Sequence, residues 1–377
     1  MGIPPFINFI LDEFKQGDSR IIKKDKFITH SSFFMKDPWL AVNLSLFFPG
    51  LGQLYAENFV RGLVLIIVQS LLIGTGLWSI FSPEGDVASG LIYLAIAIGV
   101  YIFNLFDALL LIYYQAPKVY QERIPRKVKN PWFAVAISRI LPGLGHFYAN
   151  QSVLGLILMT TSLISLRLQV FYWPLLILTP LITAIAAYHS YISFSPKGKR
   201  TLISLMTGAI FFVGLLINYV PKGIDQRLAM FILPSQSMHP TLETGDRIFV
   251  GRDQNYQPQR QDVIVFHPTE KLKELDPSPA DYYTKRIIGL PGETVTIQAG
   301  IVYINGTPLV EDYLAENPDY EFRSPVIPDN QYFVLGDNRN DSFDSHIWGM
   351  LPRKNIYGKA YKIYWPLQRV RSLLNTD

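Results

Sequence analysis

The chain holds 377 residues with no cysteine, 49% hydrophobic residues and a net charge of +4 at pH 7. That length exceeds what one ordinary core fills, so two units are expected. The missing cysteines exclude disulfides, thiol nucleophiles and thiolate metal sites, and the small positive excess gives no reason to expect a nucleic-acid partner.

In chain order, residues 1–37 are polar and of mixed charge, which reads as a cytoplasmic segment with no cleavable leader. Apolar runs with few charges follow, from about Pro38 to Val220. Two stretches inside them match: KDPWLAVNLSLFFPGLGQLYAENFVRGL starts at Lys36, and KNPWFAVAISRILPGLGHFYANQSVLGL starts at Lys129. Pro38/Pro131, Trp39/Trp132, Pro49/Pro142, Gly50/Gly143, Gly52/Gly145 and Tyr55/Tyr148 coincide, so a duplicated membrane unit is expected. The first copy takes residues 38–115 and the second 132–195, with a basic cytoplasmic linker at 116–131. The PGLG pattern followed by apolar helices resembles the small two-helix membrane module called the TM2 domain.

Five spans are expected, at 60–81, 89–114, 152–171, 172–194 and an anchor at 202–220, each near the length of a bilayer core. The Pro-Gly pair inside each PGLG segment interrupts helical hydrogen bonding, so those segments are expected to be bent rather than spanning. Basic residues stand before the first copy (Lys15, Arg20, Lys23, Lys24, Lys26, Lys36), between the copies (Lys118, Arg123, Arg126, Lys127, Lys129) and after the second (Lys197, Lys199, Arg200), whereas the loop at Glu84 and Asp86 is acidic. With five spans all three basic stretches fall on the cytoplasmic side, and everything after Pro221 falls outside. Asp107 and Arg167 lie in apolar stretches and are read as a paired or interface-reaching charge; His189 is read as a bundle-facing polar residue.

From residue 221 to 377 the pattern turns to short alternating runs: RLAMFIL, DRIFVGR, DVIVFHP, YYTKRIIGL, ETVTIQ, IVYI, YFVLGD and KAYKIYWP. These read as strands of an all-β domain without a long helix, with a hairpin at Asn305-Gly306. Three blocks within it invite chemistry. PSQSMHPTLETGD begins at Pro234, where serines beside prolines alone mark no more than a turn. YYTKRIIGLPGE carries Lys285 in an alternating run that puts Tyr283, Lys285 and Ile287 on one face. A lysine on a strand is usually solvated, but one flanked by Tyr and Ile on a buried face loses hydration and falls towards the range of a general base. GDNRNDSFDSHIWG begins at Gly336 and fits no calcium loop, and no group of residues has zinc spacing, so neither a metal nor another cofactor is expected.

Together and in this order, the three blocks resemble the bacterial type I signal peptidase family, over about residues 230–366. The resemblance implies a fold of membrane spans followed by a β-rich Ser/Lys protease domain of the signal peptidase/LexA-like kind. It makes Ser237 the nucleophile and Lys285 the general base, with the Ser235 hydroxyl and the Ser237 backbone N–H as the oxyanion hole. Ser342 corresponds to a serine that hydrogen-bonds the lysine, and Asp344 and Gly336 to structural positions. Phe231, Leu233, Pro234, Met238, Leu242 and Tyr283 match the lining of shallow pockets for small side chains, although ordinary core is the plain reading of most of them. The family pattern has arginine where His346 stands and more often aspartate where Asn340 stands, which leaves Asp344 to pair with His346 or with Arg339. The implied substrates are signal peptides of exported preproteins, cut at a membrane, most simply the inner or plasma membrane. Lipid is an implied partner, and the membrane copies are read as a platform for export machinery. A self-cleaving LexA-type repressor would need a DNA-binding domain, and a non-enzymatic β-domain that binds exported chains would survive loss of Ser237.

Overall fold

The computed structural model describes residues 36–115, 129–194, 200–253 and 255–374. The expected segment 1–37 and linker 116–131 lie almost wholly outside them. Two compact units emerge: one joins the residues up to Ile73 with Ala95–Val220, the other joins Gly74–Leu94 with the chain from Pro221 onward.

In the first unit the two matching stretches fold alike. Helices α1 (Pro38–Ser45) and α5 (Pro131–Ile140) start at Asp37 and Asn130, whose side chains accept from Trp39 and Leu40 N–H and from Trp132 and Phe133 N–H. Proline at the first helical position suits a site with no intrahelical partner for its N–H. The backbone N–H of each cap donates to a tyrosine hydroxyl, Asp37 to Tyr55 at 3.1 Å and Asn130 to Tyr148 at 3.0 Å. The chain then breaks at Gly50 and Gly143, both left-handed with φ of 97° and 103°, before short helices α2 (Leu51–Tyr55) and α6 (Leu144–Tyr148). A Cβ there would come 2.3 Å from the Gly62 carbonyl oxygen or 2.2 Å from that of Gly155, so only glycine fits. This is why each PGLG segment is two short helices and not one span.

Among the described residues, five helices are long and apolar enough to cross a membrane: α3 (Phe59–Phe81), α4 (Val87–Gln115), α7 (Ser152–Phe171), Trp173–Phe194 (a 3₁₀ turn leading into α8, Leu178–Phe194) and α9 (Arg200–Asp225). They coincide with the expected spans, except that α9 runs through Pro221 and outlasts the expected 202–220. Asp107 on α4 is ion-paired with Arg61 and accepts from Gln53 Nε2 at 2.8 Å. His189 faces inward, its Nδ1 2.9 Å from Nε2 of His146, while Arg167 is exposed.

In the second unit an eight-stranded antiparallel sheet runs β1 (Leu228–Ile232), β2 (Arg247–Gly251), β11 (Ile356–Trp365), β3 (Val263–Phe266), β4 (Tyr283–Gly289), β9 (Gln331–Leu335), β10 (Leu351–Pro352), with β12 (Arg371–Ser372) on β11. A four-stranded sheet runs β7 (Thr307–Pro308), β6 (Ile301–Ile304), β5 (Val295–Gln298), β8 (Phe322–Arg323). Asn305 and Gly306 take φ of 50° and 84° between β6 and β7, as a tight hairpin requires. One apolar cluster gathers Leu233, Met238, Leu242, Ile248, Val250, Val263, Val265 and Ile363; a second gathers Ile264, Phe266, Ile287, Val334 and Trp348 on the other side of the sheet. Among the described residues from Leu228 onward the only α-helices are short, α10 (Glu270–Leu275) and α11 (Ser345–Trp348).

The tip of the α3–α4 hairpin belongs to this same unit. Lys362 of β11 is fully buried, and its ammonium donates to the carbonyls of Ser79, Ile80 and Ser82 at 3.1, 2.9 and 2.7 Å, serving acceptors at the end of α3 that lack a helical partner and reinforcing Ser82, which also accepts from Gly85 N–H. Phe81 packs on Phe249, with centroids 5.4 Å apart. Lys362→Met keeps the volume but strands those acceptors, so it should cost the β-rich unit about 2 kcal/mol. Thermal unfolding of the detergent-solubilised full chain followed by near-UV circular dichroism measures the loss.

Candidate active site

Strand β1 runs into a loop held at both ends, with Leu233 N–H donating to the Asp246 carbonyl at 2.9 Å and Gly245 N–H to the Leu233 carbonyl at 2.8 Å. Leu233, Met238 and Leu242 sink into the core and anchor the loop from below. Ser235 and Ser237 are left on its upper side, their hydroxyls 3.3 Å apart. From the other flank Asn338 N–H donates to the Ser237 carbonyl at 3.2 Å, and Asn338 Nδ2 to the Gln236 carbonyl at 3.3 Å. Two stretches about a hundred residues apart in sequence therefore fix the position of one serine.

Lys285 lies on β4, flanked in the sheet by β3 and β9 and paired with Ile264. Its Nζ stands 2.6 Å from Ser237 Oγ, and the side chain is only 4% exposed. Burial pulls its pKa down to about 8, against the opposing pull of the Asp344, Asp337 and Asp341 carboxylates. Its neighbour Arg286 points to the other face, donating to both oxygens of Asp337 at 2.7 and 2.6 Å with its guanidinium 3.9 Å above the Tyr313 ring. Alternation along β4 thus separates a lysine beside a hydroxyl from an arginine locked to a carboxylate.

Gly336 closes the site from behind. A Cβ there would meet Ser342 Oγ at 2.2 Å and the Ser237 carbonyl oxygen at 2.3 Å. Its N–H donates to Asp344 Oδ2 at 3.0 Å, and Asp344 Oδ1 lies 2.6 Å from Nδ1 of His346. Arg339 is committed elsewhere, donating to the Gly336 carbonyl at 3.0 Å and pairing with Glu311. Asp344 therefore takes His346 as its partner.

A groove of about 420 Å³ opens over Ser237, lined by Ser235, Gln236, Ser237, Leu275, Asp276, Pro277, Tyr283, Lys285, Asp341 and Phe343. Of the residues expected from sequence, the structure brings Ser235, Ser237, Tyr283 and Lys285 to this groove. It does not bring Phe231, Leu233, Pro234, Met238 and Leu242, of which Leu233, Met238 and Leu242 are core and Phe231 packs against Tyr282 and Tyr357. Ser342 is buried nearby, but its hydroxyl has no hydrogen-bond partner, so the expected bond to Lys285 is not made; the oxygen sits in the space left by the missing Cβ of Gly336. Sequence reading missed the wall formed by Leu275, Asp276 and Pro277. The signals were Thr269, whose hydroxyl caps α10 by accepting from Leu272 N–H, and the Asp-Pro step that ends it. The Tyr283 hydroxyl fastens this wall by donating to Asp276, which holds that carboxyl below its usual range.

A family model described as signal peptidase, peptidase S26, matches residues 202–365. Signal peptidase I of Leptolyngbya laminosa is 50% identical to this chain over 143 residues, which is 37% of this chain and 70% of that protein. Probable signal peptidase I-2 of Synechocystis is 46% identical over 148 residues, 38% of this chain and 66% of its own length. Probable thylakoidal processing peptidase 2 of Arabidopsis thaliana is 40% identical over 147 residues, 38% of this chain and 40% of its own length. With identity at that level across more than two thirds of a relative, and a serine beside a buried lysine on a β-rich domain, this chain belongs to the signal peptidase I family and is a hydrolase of the serine peptidase class.

Proposed function

We propose that Ser237 and Lys285 form the catalytic pair of a membrane-bound endopeptidase that removes signal peptides from exported preproteins and cuts after small residues. The 2.6 Å approach of Lys285 Nζ to Ser237 Oγ carries this reading. A neutral amine at that distance accepts the hydroxyl proton as Ser237 attacks the scissile carbonyl, then returns it to the leaving amine. Burial supplies the neutral amine, because with a pKa of about 8 a useful fraction of Lys285 is deprotonated at neutral pH. The Ser235 hydroxyl, beside Ser237 Oγ, and the Ser237 backbone N–H serve as donors to the oxyanion.

A substrate lies extended along the groove against Tyr283, Leu275 and Phe343. Apolar walls so close to the nucleophile favour short side chains next to the cut. The basic residues that flank the long apolar helices, Arg200 and Lys129 among them, support a cytoplasmic side for those stretches and a β-domain on the far side of an inner or plasma membrane, where exported chains emerge. The exposed Met230 and Ile232 of β1 meet lipid beside the anchored signal peptide, and the duplicated unit serves as a platform for export machinery.

Cleavage of a preprotein by the full chain in detergent, with product masses read by mass spectrometry, tests the reading. Ser237→Ala should reduce cleavage by roughly 10⁴-fold or more while leaving the fold intact. Unchanged cleavage by that variant, or cuts placed after bulky residues, would overturn it.

A further inference from the structure

The Asp344 carboxylate is fully buried and its two oxygens hold different partners. Oδ2 accepts from Gly336 N–H, and Gly336 lies flush against the Ser237 carbonyl and the Ser342 hydroxyl. Oδ1 lies 2.6 Å from Nδ1 of His346, whose ring stacks on Tyr320 with centroids 4.3 Å apart. The His346 side chain is 19% exposed, so it can trade protons with water while its partner cannot. Histidine is also the side chain whose ordinary titration falls in the middle of the physiological range.

We propose that His346 is a positioning residue whose proton sets the field that Asp344 exerts on Lys285, and thereby sets how far into acid the enzyme keeps cleaving. The proposal rests on the Ser237–Lys285 reading of the site. When His346 carries a proton, the imidazolium and Asp344 together are neutral and add little field at Lys285. When that proton leaves, Asp344 still accepts from Gly336 N–H and the His346 backbone N–H, but the pair now carries a net negative charge and favours the ammonium form of Lys285, which cannot act as base. The other charges nearby leave this control to His346. Asp337 is bound by Arg286, Glu311 is bound by Arg339, and Asp341 lines the groove. Tyr320, the ring against His346, is held protonated by burial, with its pKa pushed above the usual phenol range.

The sign follows from two positive charges that repel. His346⁺ makes Lys285 easier to deprotonate, and neutral Lys285 makes His346 easier to protonate. The rise of kcat/KM with pH is therefore spread over a wider interval than one proton produces.

The test compares pH profiles of kcat/KM for the full chain and for His346→Arg and His346→Asn on a signal-peptide substrate in detergent micelles. Arginine keeps the positive charge at every pH, so its profile should rise as a single-proton curve whose midpoint lies about half a unit to one unit more acid than that of the asparagine variant. Asparagine keeps a donor at the Nδ1 position but is never charged, so its rise should also be a single-proton curve, displaced towards alkali. The unsubstituted chain should lie between the two and be broader than either. Profiles that superimpose after scaling, with only the plateau lowered, would reduce His346 to a packing role and overturn the proposal. Cleavage retained by Ser237→Ala and Lys285→Ala would instead remove the catalytic reading on which it stands, and the two failures are told apart by those variants.

Discussion

Lys285→Arg should abolish cleavage as completely as loss of Ser237 does, by roughly 10⁴-fold, although it keeps the charge and much of the length of the side chain. On the proposed reading, lysine at this position is useful because it loses its proton. Arginine does not lose its own, and the planar guanidinium beside Ser237 would donate where a base must accept. The same reasoning fixes the pH dependence of the unsubstituted enzyme. With Lys285 near 8, its neutral fraction grows as pH rises, so kcat/KM should climb through that region and fall off below it. Stopped assays of preprotein cleavage between mild acid and mild alkali read both effects. Arginine activity within tenfold of the parent, or a profile flat across pH 7–9, would contradict the assignment.

Gly336→Ala should also be damaging, though less completely, for a geometric reason. One methyl group at this position meets two atoms at once, Ser342 Oγ and the Ser237 carbonyl oxygen, both within 2.3 Å. Neither neighbour is a loose chain end: Ser342 is buried and the Ser237 carbonyl accepts from Asn338 N–H. The backbone must shift, and a displacement of about 1 Å at a reacting centre costs on the order of 10²-fold in rate. The loss should appear in kcat with the circular dichroism spectrum unchanged. A variant that cleaves normally would show that the Ser237 loop tolerates this movement.

The parts of the fold legible in the sequence were those written in local pattern. Unbroken apolar runs of about twenty residues marked the five long helices, and alternation marked β2, β3, β4 and β11. The repeated Pro-Gly marked the bends before α2 and α6. The Ser237–Lys285 approach was legible because an apolar strand setting and three ordered blocks converge on two residues. What failed was everything that depends on which side of a loop faces the core. Leu233, Met238 and Leu242 flank Ser237 in sequence and so look like pocket lining, yet they bury their side chains under the loop and hold it up. The actual wall comes from Leu275, Asp276 and Pro277, a segment with no chemical signature of its own that Tyr283 pins in place. The partner of Asp344 was equally hidden, since the choice turned on Glu311 taking up Arg339 across 28 residues. Docking of the α3–α4 tip through Lys362 left no local trace, because the acceptors are backbone carbonyls.

The two membrane copies touch at their equivalent caps, where Asn130 Nδ2 donates to Asp37 Oδ2 at 2.9 Å. A symmetric pair made from one unduplicated module would set aspartate against aspartate at this point, two like charges with no donor between them. In the single polypeptide the two positions differ, so that one supplies the acceptor and the other the donor. The seam is consequently directional, and Asn130→Asp would set two carboxylates against each other across it.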